Sequence, residues 1–179
     1  MYERLVIGID QSYKRTGISI ACDGKLMVVK SMDFNGLNDN TLKRHALSEQ
    51  IEAIIVKNFV KTKRIEIICE RIRTFSGGFI STNYIKSTGA LIATIVDIAY
   101  KYNVPVYSVD TRSWKSQIIG TSKGGKQPAI EFIERLGFSL CLGTDKNGNK
   151  IYNDDAADSA CIALYGFIPE IDQKLTLEC

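Results

Sequence analysis

Residues 3–33 read ERLVIGIDQSYKRTGISIACDGKLMVVKSMD. Three segments of this stretch, Glu3–Asp10, Thr16–Cys22 and Lys25–Asp33, are rich in apolar and β-branched residues. Asp23-Gly24 joins the second to the third and is a two-residue hairpin signal. The stretch therefore predicts three strands in an antiparallel meander. Downstream the pattern changes. Residues 40–61 carry Leu42, Leu47, Ile51, Ile54, Ile55 and Phe59 at helical spacing. Arg64–Glu70 reads as a short strand, and its Ile65, Ile67, Ile68 and Cys69 predict burial on both faces. A Gly/Ser/Thr-rich loop with aromatics covers 71–83, a helix runs over roughly 84–102, and Val104–Val109 is another buried strand. Helical signals return at about 112–119 and 126–136, 139–152 is a polar loop, and a last helix starts near Asn153. This order, β-β-β-α-β-α-β-α-α-α, predicts an α/β fold with a mixed five-stranded sheet flanked by helices, three strands antiparallel and then two parallel.

Composition narrows the classes. A chain of 179 residues with 45% apolar and 24% charged content is read as one soluble domain over 1–179. A net charge of +3 gives no bulk signal for nucleic acid, so a basic footprint must be local. There is no N-terminal apolar h-region and no apolar run long enough to span a bilayer, which predicts neither secretion nor membrane insertion. The five cysteines, Cys22, Cys69, Cys141, Cys161 and Cys179, are odd in number and lack CxxC spacing, which argues against a disulfide framework or a zinc site. A reducing, cytoplasmic compartment follows.

The chemistry concentrates in carboxylates. Asn153-Asp154-Asp155-Ala156-Ala157-Asp158-Ser159-Ala160 places three acids at the start of an apolar helix. Asn153 suits an N-cap, and Asp154 and Asp155 suit the helix dipole. Asp158 is explained poorly that way, because Asp155 and Asp158 are i, i+3 neighbours where like charges repel. Asp10 ends the first strand, where it could cap a turn. Glu70 ends the fourth, where it could pair with Arg71 or Arg73. If these three places meet at one sheet edge, they supply the hard oxygen ligands of a divalent-metal site. Two such ions about 3.5–4 Å apart would suit phosphodiester hydrolysis. The single histidine, His45, lies in the first helix and reads as a surface or packing residue.

The chain resembles the RuvC-type Holliday junction resolvases of the RNase H-like nuclease superfamily. Ile7-Gly8-Ile9-Asp10-Gln11-Ser12-Tyr13-Lys14-Arg15-Thr16-Gly17 resembles the family's opening strand and turn, with Gln11-Ser12 in place of Pro-Gly. Ile68-Cys69-Glu70-Arg71-Ile72 resembles its second acidic strand, and Asp155-Ala156-Ala157-Asp158-Ser159-Ala160 its acidic helix start. Thr111 to Gly120, followed by Lys126, resembles a basic segment between them. The resemblance implies a metal-binding tetrad of Asp10, Glu70, Asp155 and Asp158, with Asp154 ranked second to Asp155, holding two Mg²⁺ or Mn²⁺ ions. It implies catalytic assistance from Lys115. It also implies DNA contacts from Arg73, Phe75, Phe79, Arg112, Lys115, Lys123 and Lys126, with Phe75 the preferred junction wedge. The segment from Glu70 to Gly89 is longer than is usual for the family, and aromatics there could instead fold back on the core. The departures and short C-terminus resemble phage-encoded members.

The expectation is a homodimeric, metal-dependent endodeoxyribonuclease that resolves four-way junctions by paired symmetric nicks, with apolar residues of helix 84–102 (Ile85, Leu91, Ile92, Ile95, Val96, Ile98, Ala99) serving both core and dimer contact. A branch-migration partner is not indicated. Alternatives are an RNase H-like nuclease acting on RNA–DNA hybrids or flaps, a non-catalytic junction-binding protein, and an ATPase of the actin and sugar-kinase class. That last class needs two lobes and a much longer chain.

Overall fold

A computed structural model describes residues 1–72, 81–168 and 176–177. The expectations for Arg73, Phe75 and Phe79 lie outside the described residues, as does Cys179. Strands β1 (Tyr2–Asp10), β2 (Arg15–Cys22) and β3 (Lys25–Asp33) form the meander. The β2–β3 turn has Asp23 at φ 47° and Gly24 at φ 79°, the left-handed pair that a two-residue hairpin requires. Helix α1 (Asn40–Asn58) leads to β4 (Thr62–Glu70), and α2 (Thr82–Lys101) leads to β5 (Val106–Val109). A short α3 (Thr111–Trp114) widens into a π-turn over Lys115–Ile119, and α4 (Gln127–Arg135) follows. Strands β6 (Cys141–Thr144) and β7 (Lys150–Tyr152) precede α5 (Asp154–Tyr165), and β8 (Thr176–Leu177) is last.

The sheet order is β3-β2-β1-β4-β5, with β4 parallel to β1 and to β5, as the alternation of strands and helices predicts. Two features depart from expectation. The short β8 adds antiparallel to β5 as a sixth strand. The region read as a polar loop, 139–152, contains an exposed two-stranded hairpin, β6–β7. Its turn is organised by Asp145, whose carboxylate accepts from the backbone N–H groups of Asn147 and Asn149. The predicted helix over 40–61 ends at Asn58, and the strand read from Val104 starts at Val106.

The period-2 alternation of β1 decides where the chemistry goes. Leu5, Ile7 and Ile9 face a core shared with Leu47, Ile51 and Ile55 of α1 and Leu91, Ile95 and Ile98 of α2. Val6 faces the opposite core, built from α5, α4 and the buried Trp114. Gly8 and Asp10 continue on that second face. On β4, Ile67 and Cys69 lie in the first core and Ile68 in the second, so Glu70 follows Ile68 to the α5 side.

Helix α5 lies unusually close to the sheet because two strand positions lack side chains. A Cβ on Gly8 would stand 2.2 Å from the backbone O of Ser159, and one on Gly17 would stand 1.9 Å from the backbone O of Asp155. The helix answers with small residues, Ala156, Ala157, Ala160 and Ala163, all fully buried. Ser19 of β2 and Ser159 of α5 share a buried hydroxyl hydrogen bond of 2.7 Å across this contact.

Gly17→Ala is expected to be strongly destabilising, because backbone rather than a flexible side chain must move. Overpacking costs about 1–3 kcal/mol, which corresponds to a Tm loss of roughly 2–12 °C in a chain of this size. Gly89→Ala is the matched control: its Cβ would meet Ile72 Cδ1 at 3.7 Å, and it lies within α2. Alanine should leave Tm unchanged or raise it there. Equal melting of both variants would refute the close-packing account.

Candidate active site

Four of the predicted acids come to one end of the sheet. Asp10 is the last residue of β1 and pairs with Gly17 of β2. On its other side Ile9 pairs with Cys69, so Asp10 and Glu70 end adjacent parallel strands one step beyond the last paired residues. Gln11 ties the two strand ends together, its side-chain amide donating to the backbone O of Glu70. The turn that follows closes through Thr16, whose hydroxyl donates to the backbone O of Ser12 at 2.8 Å.

Helix α5 brings the remaining acids over this edge. Asn153 is its N-cap, accepting from the backbone N–H of Ala156 at 3.2 Å, and its side-chain amide donates to Ser31 Oγ of β3 at 2.9 Å. The first turn is thus fixed to the sheet from both sides. Asp158 is buried, 9% exposed, and its Oδ1 has no hydrogen-bond partner among the described residues. Burial pushes the Asp158 carboxyl up to about 6, with the charges of Glu70 and Asp155 adding to the rise and Lys115 and Lys126 opposing it. Asp10 is raised well above the ordinary carboxylate range, first by burial and then by the charges of Glu70, Asp158 and Asp155. These acids therefore feel one another as a single site.

Glu70 is oriented from α3. Thr111 Oγ1 donates to its Oε1 at 2.7 Å, and the indole N–H of the fully buried Trp114 points to its Oε2 at 3.4 Å. Lys115, immediately after Trp114, lies with its Nζ 5.2 Å from the centre of that indole and donates to the backbone O of Gly125 at 3.0 Å. A π-turn displaces the side chains that follow it relative to a regular helix, and here it begins at Lys115. Lys126 pairs with Asp154. Arg112 and Lys123 are exposed nearby in sequence. His45 pairs with Glu49 on exposed α1, away from the acids.

Sequence reasoning missed Arg15. Its guanidinium spans the two acids of the first α5 turn, Nε to Asp155 Oδ2 at 2.5 Å and Nη2 to Asp154 Oδ1 at 2.8 Å. Asp154, ranked second as a ligand, thus has one oxygen on Arg15 and the other on Lys126. A pairing across 140 residues of sequence carries no local signal.

The donor set suits a hard divalent cation: all oxygen, mutually repelling, and with one buried oxygen lacking any partner. Asp10, Glu70 and Asp158 are the residues that would hold it on the inner side, and Asp155 on the outer. Among the described residues, no group of three or more histidine, cysteine, aspartate or glutamate side chains is arranged so that it could hold a metal ion in this conformation. Mg²⁺ needs none, since it is held by one or two carboxylates together with water and phosphate oxygens.

Removing the Asp158 charge should stabilise the metal-free protein. A carboxyl whose pKa is higher folded than unfolded costs stability progressively as pH rises from its ordinary 3.8 through about 6. Asp158→Asn should therefore melt above the parent in EDTA at neutral pH, and the gap should close as pH falls toward 4. Mn²⁺ should raise the parent's Tm more than the variant's. A variant that melts below the parent at neutral pH would contradict the unneutralised-charge account.

No protein-family model matches the chain, and no curated protein matches it in sequence. Solved structures do. The Thermus thermophilus RuvC structure superposes with a TM-score of 0.65 at 14% identity, covering 97% of this chain and 99% of that one. T. thermophilus RuvC in complex with a Holliday junction substrate gives 0.69 at 13% identity, covering 97% and 98%. The yeast mitochondrial Holliday junction resolvase Ydc2 gives 0.52 at 23% identity, covering 89% and 75%. The chain therefore has the RuvC form of the RNase H-like fold over nearly its whole length.

Proposed function

We propose that the protein is a Mg²⁺- or Mn²⁺-dependent endodeoxyribonuclease that resolves four-way DNA junctions by paired nicks. The observation that carries the reading is the buried oxygen of Asp158, without a hydrogen-bond partner among the described residues and near enough to Glu70 to feel its charge, on a fold shared with T. thermophilus RuvC bound to a Holliday junction and with the yeast Holliday junction resolvase Ydc2. In a protein interior an unneutralised carboxylate is costly, and a divalent cation removes the cost.

When bound, two ions supply an activated water and stabilise the leaving oxygen. The chain's own residues do the rest. Thr111 and Trp114 fix the Glu70 carboxylate, and Gln11 fixes the strand ends that carry Asp10 and Glu70. Lys115, set on the Trp114 ring, offers a positive charge to the phosphate undergoing attack. Lys123 and Lys126 extend that charge along the exposed loop before α4, and Arg112 lies on α3, where each would contact the DNA backbone. Arg73, Phe75 and Phe79 are assigned to the junction by the family resemblance, as phosphate contact and base-stacking groups.

A four-way junction has near two-fold symmetry, which suits an isologous dimer with one site per arm pair. On α2, Leu91, Ile95, Ile98 and Ala99 are consumed by the core, and Ile92 and Val96 pack against it. Tyr84 and Ile85 remain exposed at its first turn, and these are the proposed self-contact. No described helix is long and apolar enough to cross a membrane.

Asp155→Asn and Glu70→Gln should each lose at least about a hundredfold in single-turnover nicking, since loss of even an outer partner of a metal ligand costs roughly 10–100-fold. Junction affinity should stay within a few-fold, because phosphate contacts supply most of it. Parent-like cleavage by either variant would remove that residue from the site. Sedimentation should show a dimer for the parent and a shift toward monomer for Ile85→Asp; a monomeric parent would contradict the symmetric reading.

A further inference from the structure

The acids at the sheet edge fall into two electrically different halves. At the inner half Asp158 is 9% exposed, and its Oδ1 has no hydrogen-bond partner among the described residues. At the outer half, Asp154 and Asp155 are already bridged by Arg15, and Asp154 also by Lys126. The bridging groups are sheltered: Arg15 is 23% exposed and Asp154 and Asp155 are 17% and 18% exposed. Pairs of this kind are screened less than surface pairs, and a guanidinium spanning two carboxylates is held in a fixed fork.

The position of Arg15 is itself fixed. It is the first residue of β2, paired with Asp33 of β3, and Gly17 two residues on lies against the backbone of Asp155. Arg15 therefore reaches the first turn of α5 from a rigid strand rather than from a loop.

We infer that Arg15 is a resident cation occupying the Asp155 half of the site, so that the two divalent ions load in sequence. The first enters the inner half, and the second binds only as Arg15 gives up Asp155. The inference rests on the two-ion reading above and deepens it. An incoming phosphodiester offers the guanidinium a replacement partner of the same bidentate kind. Arrival of DNA thereby frees Asp155, and full metal loading is tied to the presence of substrate. Arg15 acts here as a positioning residue, through Asp155. Asp154 is then the anchor that keeps Arg15 and Lys126 at the rim, which accounts for an extra acid that the metal tetrad does not need.

The test is a Mn²⁺ titration of DNA-free, full-length protein at neutral pH, with free Mn²⁺ followed by electron paramagnetic resonance. The parent should bind one ion per chain well and a second much more weakly. Arg15→Gln should leave the first affinity unchanged and tighten the second by about tenfold or more, the scale on which outer partners alter metal affinity. Arg15→Lys, which keeps the charge but cannot fork two carboxylates, should fall between. A merely structural arginine would not improve any affinity when removed. Two equally tight ions in the parent, or a second affinity unchanged in Arg15→Gln, would overturn the inference while leaving the two-ion reading intact. No Mn²⁺ bound by either protein would overturn both. Should Arg15→Gln fail to fold, a parent-like second affinity in Arg15→Lys overturns the inference.

Discussion

The site depends on how closely α5 can approach the first two strands. Gly8 and Gly17 leave the backbone of β1 and β2 bare where the helix crosses, and any larger residue would collide with backbone atoms of Ser159, Ala163 or Asp155. The helix contributes alanines to the same contact, and the Ser19–Ser159 hydrogen bond fixes its position along β2. Because Asp10 pairs with Gly17, the strand acid and the helix acids are separated by a single backbone layer. A looser contact would leave the same residues present and the carboxylates too far apart to influence one another.

That proximity generates the electrostatics. Glu66 offers an instructive contrast within the same sheet. It is fully buried and its Oε1, like Asp158 Oδ1, lacks a well-formed hydrogen bond among the described residues, but Arg4 and Arg64 both form ion pairs with it, so its charge is compensated by the chain. Asp158 is nearly as buried and has no such pair; the lysines that lower its pKa act from a distance, and burial still dominates. A buried acid paired with two arginines is compensated by the chain itself, whereas the buried acid Asp158 is the one proposed to take its counter-charge from an outside cation. Arg15 and Lys126 show that the protein can neutralise acids at this edge, bridging Asp154 and Asp155 of the first α5 turn.

Much of this was readable from the sequence because it rests on local periodicity. Alternation along β1 and β4 gave the strands, Asp23-Gly24 gave the hairpin, and Asp155–Asp158 crowding resisted explanation as capping. What could not be read arises from long-range contacts. Arg15 looks like any turn cation until α5 is laid over β2, and nothing local to Glu70 signals that Thr111 and Trp114, more than 40 residues on, donate to its carboxylate. The β6–β7 hairpin had a local signal, Asn147-Gly148, but its flanking strands are short and exposed throughout most of their length, so the alternation that identifies a half-buried strand was missing.

The central claim is that this carboxylate edge is a metal-dependent catalyst for branched DNA. The most direct measurement incubates purified protein with a 5′-labelled synthetic four-way junction and a matched linear duplex, in Mg²⁺, Mn²⁺ or EDTA. Symmetric nicks are expected in the junction alone, present with either metal and absent in EDTA. Tight junction binding without cutting in either metal, or equal cutting of the duplex, would contradict it.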